Sequence, residues 1–248
     1  MAVMALLFAI TAALYASVGF GGGSTYNALL VLAGTDYRVL PAIALTCNII
    51  VVTGGTIRYA REGVMPWWRA LPIALIAAPF AWAGGLTPIS QSTFIGLLGL
   101  GLLIAGLLML IQRQAEIVET RATGWRDYGI GAGIGYFSGL VGIGGGIFLS
   151  PFLHLTRWGL AKPIAATASL FILVNSIAGL GGQMTKLGAA GIEAAAATYS
   201  PLALAVLVGG QLGTHLGLRL LSEQWIRRVT AVLVLYVAAR LIWQYFAG

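Results

Sequence analysis

Two glycine runs offer the most specific chemistry in the chain. Gly19-Phe20-Gly21-Gly22-Gly23 and Gly142-Ile143-Gly144-Gly145-Gly146 share one pattern, and each leads straight into a short apolar stretch. Glycine adopts positive φ at little cost and lets other backbone come close, so such a run can turn sharply and present consecutive N–H groups. A helix starting there adds its free first-turn amides and the positive end of its dipole. Gly19, Gly21, Gly22 and Gly23 with Gly142, Gly144, Gly145 and Gly146 are therefore expected to hold an anion without a basic side chain. The same runs could instead be tight hairpins that pack closely and bind nothing. Hydroxyls and amides beside them can donate to an oxoanion without adding charge: Ser24, Thr25 and Asn27 follow the first run, and Ser138 and Ser150 flank the second. Deeper in the succeeding stretches lie Thr46, Asn48 and Thr53, then Ser169, Asn175, Ser176 and Gln183. Asn48 and Asn175 are the best placed of these. Any of them could equally form an interhelical hydrogen bond worth about 0.6 kcal/mol.

The ionisable residues exclude other chemistries. All seven acidic residues (Asp36, Glu62, Glu116, Glu119, Asp127, Glu193 and Glu223) fall in or beside loops. With no carboxylate in mid-helix, a carboxylate proton relay or an acidic cation site is not expected. His154 and His215 could take up protons near neutral pH, or could be interfacial packing residues. The lone Cys47 allows no internal disulfide and no thiolate cluster, so no metal is expected. There is no His-Glu-x-x-His, no Gly-x-Ser-x-Gly, and no Lys after either glycine run to complete a nucleotide loop. No catalytic residue and no cofactor are expected.

The elements that must carry these residues are membrane helices. Hydrophobic residues make up 59% of the 248, charged residues only 8%, and mean hydropathy is +0.92. Soluble domains carry roughly 25% charged residues, which rules out that class. Apolar segments fall at 2–18, 24–33, 40–57, 70–86, 92–111, 128–141, 147–156, 164–182, 194–218 and 228–246. A spanning helix needs about 20 apolar residues, whereas 24–33 and 147–156 would reach only about 15 Å of the roughly 30 Å core. Each short segment follows a glycine run, and broken helix survives in a bilayer only inside protein or against a polar cavity. Stripes of small residues (Gly131, Gly135, Gly139; Gly209, Gly213, Gly217; Ala77, Ala81, Gly85) suit close helix packing. Trp67, Trp68, Trp125, Trp158, Trp225 and Trp243 sit at segment ends, where an aromatic belt is expected. Arg58 and Arg240, near helix ends, are expected to snorkel.

The glycine runs also mark an internal repeat at an offset of 123 residues, with Pro41 answering Pro163 after a slip of one and, further on, Gly63 meeting Gly188 after a slip of two. The expected division is a first repeat at 1–111 (hairpin 1–33 plus three spans), a cytoplasmic linker at 112–127, and a second repeat at 128–248 (hairpin 128–156 plus three spans). Loop charges set the orientation: Arg58, Arg61 and Arg69, the linker, Arg157 with Lys162, and Arg219 with Arg227 and Arg228 all belong inside. Each half then makes a two-legged hairpin and three crossings, an odd number, so the halves are inverted. If each broken segment crossed once instead, Arg219, Arg227 and Arg228 would lie outside. In an inverted pair the two bends enter from opposite faces and meet near the midplane.

The paired glycine motifs, with Phe148-Leu149-Ser150-Pro151-Phe152-Leu153 after the second, resemble the sulfite exporter TauE/SafE family of membrane permeases. Pro163, the stretch Ala166-Thr167-Ala168-Ser169 and the duplicated layout are similar too. The resemblance covers essentially the whole chain. It implies secondary transport of a sulfur-containing anion such as sulfite, thiosulfate or an organosulfonate across the inner membrane, here expected to proceed by alternating access. One departure stands in the first half: where the second has Pro151, the first has Ala28. The expected partners are the anion, the lipid bilayer and a coupling proton or sodium ion, with no nucleic acid. An anion channel is the alternative, and an intramembrane enzyme or assembly factor a more distant one.

Overall fold

The computed structural model describes residues 1–17, 19–111, 121–220 and 223–247, with backbone alone at 17, 214–220, 223, 224, 226, 227, 230, 233 and 247. The described residues form an all-helical chain: α1 (Ala2–Ser17), α2 (Gly23–Leu32), α3 (Leu40–Arg61), α4 (Trp67–Leu86), α5 (Gln91–Ile111), α6 (Trp125–Val141), α7 (Gly146–Leu155), α8 (Ala161–Leu220) and α9 (Glu223–Ala247). α8 breaks at Gly188, whose φ of 69° and ψ of 173° leave the helical region, so it is two arms, 161–187 and 189–220. Helices α3, α4 and α5 and the stretch Ala161–Gly213 are long and apolar enough to cross a bilayer. Large apolar side chains cover the outside, Leu75, Phe80, Leu100, Leu204 and Val232 among them. A surface so apolar is stable against lipid chains and unstable against water. α6 starts at Trp125, three residues inside the segment expected as linker; Arg113, Glu116 and Glu119 of that segment, and the side chain of His215, lie outside what the structure describes.

The two short helices are arms of hairpins, and their glycines make the turns. α6 ends in a left-handed Gly142 (φ 77°), with the amides of Gly142 and Ile143 both donating to the Ser138 carbonyl at 2.8 and 3.1 Å. After α1, Gly19 (φ 81°) donates to Ala16 O and Phe20 to Tyr15 O. Gly22 (φ 85°) and Gly145 (φ 82°) then cap α2 and α7 in the same conformation. Further on, Gly63 and Gly188 both turn at φ 69°. L-residues with a Cβ rarely adopt these angles, which is why glycine stands at each.

Contacts along the helices fix their directions. Arg69 at the head of α4 bonds the carbonyls of Arg121 and Trp158, so the end of α3, the heads of α4, α6 and α8, and the end of α7 share one face. We call it the basic face, since Arg58, Arg61, Arg69, Arg121, Arg126, Arg157 and Lys162 belong to these termini. Lys186 reaches Thr87 O on the opposite face, where the α2–α3 turn also lies. α6 runs from the basic face to Gly142, which lies against Pro41 at the far end of α3; α7 returns. α1 runs the other way beside the second arm of α8, Ala9 against Gly209 and Ala13 against Gly213, down to Gly19 against Tyr59; α2 returns to the opposite face. The two hairpins thus enter from opposite faces and overlap in the middle.

Among the described residues, the small residues expected to allow close packing do so; the surroundings of Gly217 lie outside them. A methyl group on Gly135 or Gly139 would run into the backbone oxygen of Ala77 or Ala81 in α4, and one on Gly209 or Gly213 into that of Ala9 or Ala13 in α1. Trp158, expected at a lipid interface, is instead fully buried. The Arg69 guanidinium lies 3.8 Å from its ring centroid, and its indole N–H donates to Thr123 Oγ1 at 2.9 Å.

Candidate functional site at the paired glycine bends

Asn48, midway along α3, sits between the two bends and is fully buried. Its Nδ2 donates to Ile143 O of the second bend at 3.0 Å, while its side chain packs against Gly21 and Gly23 of the first and Gly144 of the second. A Cβ on any of these three would collide with the amide. Asn27, one turn into α2, makes a second link by donating Nδ2 to Val141 O at 2.6 Å. Two amides of the first half therefore bind carbonyls of the second, and the bends come together without a charged group between them.

The chain turns so sharply here that its amides run out of partners. Backbone bonding of the first bend stops at Phe20 and resumes at Tyr26, which donates to Gly22 O; that of the second stops at Ile143 and resumes at Phe148, which donates to Gly145 O. Among the described residues the amides of Gly21 to Thr25 and of Gly144 to Ile147 donate to no protein acceptor, yet all these residues are buried. Buried polar groups are costly unless something satisfies them. Beside them Asn27 Oδ1, Asn48 Oδ1, Tyr26 Oη, Ser138 Oγ and Ser176 Oγ are buried without a hydrogen-bond partner among the described residues. Consecutive free amides at two opposed helix N-termini give a region of positive potential suited to an anion.

The other sequence candidates divide. Ser24 and Thr25 are buried in the first turn of α2, with Thr25 Oγ1 2.8 Å from the Tyr15 hydroxyl. Ser150 is buried in α7. Ser169 is engaged one step away, 3.0 Å from Thr56 Oγ1. Asn175 does not reach the bends: its Nδ2 bonds Phe171 O at 2.8 Å within its own helix, and its Oδ1 faces Gly135. Its neighbour Ser176 takes that place, against Gly144. Thr46 and Thr53 return their hydroxyls to Ala42 O and Ile49 O. Gln183 ties its amide to Gly139 O at 2.8 Å, a structural link. Sequence reasoning misses Tyr26, whose ring lies over Gly22; the polar run it belongs to is the available signal.

Cavities and ties differ between the faces. On the opposite face a cavity of about 280 Å³ opens between α3 and the two arms of α8, reaching Thr46 and Cys47 beside Asn48. A second of about 180 Å³ lies over the second bend. On the basic face Arg69 donates to Arg121 O at 2.7 Å and Trp158 O at 2.5 Å, joining the first half to the second. Arg121 in turn binds the carboxylate of Asp127 through both terminal nitrogens and donates Nε to Thr156 O at 3.0 Å. The bond to Asp127 raises the Arg121 guanidinium above its ordinary value and keeps it charged.

Comparison with known proteins decides the family. The sulfite exporter TauE/SafE model matches residues 4–241, nearly the whole chain. The chain belongs to that family. A probable membrane transporter protein of Sinorhizobium fredii is 31% identical over 97% of this chain and 97% of its own length. One of Xylella fastidiosa is 30% identical over 92% and 90%, and one of Methanocaldococcus jannaschii 25% identical over 67% and 66%. No solved structure matches. This TauE/SafE chain is thus a membrane-embedded transporter, and both of its glycine bends lie within the matched residues.

Proposed function

We propose that this TauE/SafE protein is a secondary permease that moves a small sulfur-containing anion, such as sulfite, thiosulfate or an organosulfonate, across the inner membrane by alternating access. The observation that carries the reading is the set of buried free amides at Gly21 to Thr25 and Gly144 to Ile147, gathered around Asn48. Such amides favour an oxoanion strongly because they need no reorganisation and stand in a medium of low dielectric. The family's name points to sulfite, and that anion's compact, oxygen-rich form suits donors spaced along a backbone turn.

Matching φ angles at Gly19 and Gly142, Gly22 and Gly145, and Gly63 and Gly188 support a duplication, and hairpins entering from opposite faces support an inverted one. With the basic face cytoplasmic, the Arg69–Trp158 tie on the inner side and the two cavities on the outer side support a carrier facing outward. Rocking one half against the other would break that tie and open the inner side. A negative interior drives an anion outward, so export is the downhill direction.

The test is counterflow in proteoliposomes loaded with sulfite, thiosulfate or ethanesulfonate. Saturable uptake of labelled anion against the unlabelled pool is expected. A conductance that does not saturate identifies a channel, and absence of flux for every anion in the panel overturns the reading.

A further inference from the structure

We infer that the 180 Å³ cavity on the opposite face is a separate outer subsite, in which Arg38 and Lys186 bind the head of a singly charged organic anion before it reaches the glycine bends. The inference deepens the permease reading and rests on it.

The charge placement is the first argument. Connections on an outer face are normally poor in Lys and Arg, yet here Arg38, in the α2–α3 connection, and Lys186, at the end of the first arm of α8, stand on that face. They lie 148 residues apart in sequence, in different halves, and line the same cavity. Neither forms an ion pair among the described residues, where Arg58–Glu62 and Arg121–Asp127 are the pairs. Arg38 stacks its guanidinium 5.8 Å from the Tyr37 ring centroid, and Lys186 has a long contact of 3.4 Å to Thr87 O. Asp36 accepts the Arg38 backbone amide at 3.0 Å and offsets one of the charges without lining the cavity. A single net positive charge is left at the mouth, matched to a monoanion.

The walls select the rest of the solute, behind its charged head. Pro41, Pro88, Ile89, Phe94, Leu140 and Leu187 give an apolar lining. Such walls offer nothing to a second charge and favour a short hydrocarbon tail, because burying apolar surface is favourable and burying an unpaired charge is not. The floor leads inward. Pro41 is the residue against which Gly142 turns, and Leu140 immediately precedes Val141, whose carbonyl Asn27 binds. An anion held at the mouth therefore lies over the second bend. Converging cations in a cleft with low-dielectric walls raise the local anion concentration.

The test uses the whole chain in proteoliposomes carrying Ile89→Cys, with ethanesulfonate as the probe and a neutral maleimide as the label. Native Cys47 lines the neighbouring 280 Å³ cavity, so the background is Cys47→Ala, in which labelling reads the introduced thiol alone. Ethanesulfonate is expected to slow labelling of the introduced thiol, and sulfate at equal ionic strength to slow it less. Arg38→Gln and Lys186→Gln are each expected to weaken that protection about fivefold, the usual effect of one partly exposed charge, while Arg38→Lys retains it. Labelling that ignores ethanesulfonate, or protection undiminished in both Gln variants, overturns the subsite. If counterflow continues in that case, the permease reading survives alone. Protection without counterflow would leave a binding pocket and remove the transport path it was meant to feed.

Discussion

At Asn48 two demands meet in one side chain. Its Nδ2 satisfies Ile143 O of the second half, and its bulk fills the space that the absent side chains of Gly21, Gly23 and Gly144 leave open. Asn48→Ala should leave a buried carbonyl unpaired and cost about 1–3 kcal/mol of stability. Asn48→Asp should do worse in transport, because a carboxylate there competes with the anion for the free amides; at least a tenfold loss of counterflow is expected with the protein still folded by thermal melting. Gly21→Ala isolates the packing from the turn, since Gly21 is not among the positive-φ residues; its methyl would displace the Asn48 amide and should cut transport with little loss of expression. Counterflow within twofold of wild type in all three would remove Asn48 from the site. The glycines and Asn48 were legible from residue type and position. The choice of Asn175 over Ser176 was not, because adjacent residues on a helix differ by about 100° in direction and an uninterrupted apolar sequence carries no period to fix the facing side.

Among the elements, the short helices were the clearest part of the sequence. Segments expected at 24–33 and 147–156 lie within one residue of Gly23–Leu32 and Gly146–Leu155, because glycine both ends one helix and begins the next. The gap between the apolar segments expected at 164–182 and 194–218 contains the break at Gly188. What local pattern could not reveal is bonding over long separations. The links from Asn27 to Val141 and from Asn48 to Ile143 join residues 114 and 95 apart, and Trp158 has the sequence setting of any tryptophan at a segment end, with nothing local to announce the Arg69 stacked on it. The helix interfaces predict a contrast in stability. Gly139→Ala places a methyl on the Ala81 backbone and forces α4 and α6 apart, whereas Gly129→Ala in the same helix meets nothing within 4 Å. Thermal unfolding in detergent should fall by several degrees for the first variant. It should stay level or rise for the second, where alanine gains up to about 1 kcal/mol of helix propensity. Equal melting of the two would show that the close approach is unimportant.

For the whole molecule, the charged tie between the halves lies at the basic face, and the two described cavities lie at the other. Arg69→Ala strips Trp158 of its cation and leaves the carbonyls of Arg121 and Trp158 without their donor. Faster hydrogen exchange across 121–128 and 156–160 is expected, with the opposite face unchanged; uniform exchange in variant and wild type would mean that the tie holds nothing shut. The half-length arms α2 and α7 have an electrical consequence. Ten residues of helix cover about 15 Å of a hydrocarbon layer roughly 30 Å thick, so a solute resting at the bends has crossed about half of the field. One elementary charge then gains or loses about 1.2 kcal/mol per 100 mV, roughly a sevenfold change in occupancy. Half-saturating concentrations measured from one side under clamped potentials should shift by that factor, with opposite sign when measured from the other, so the membrane voltage itself would act as a regulator of loading.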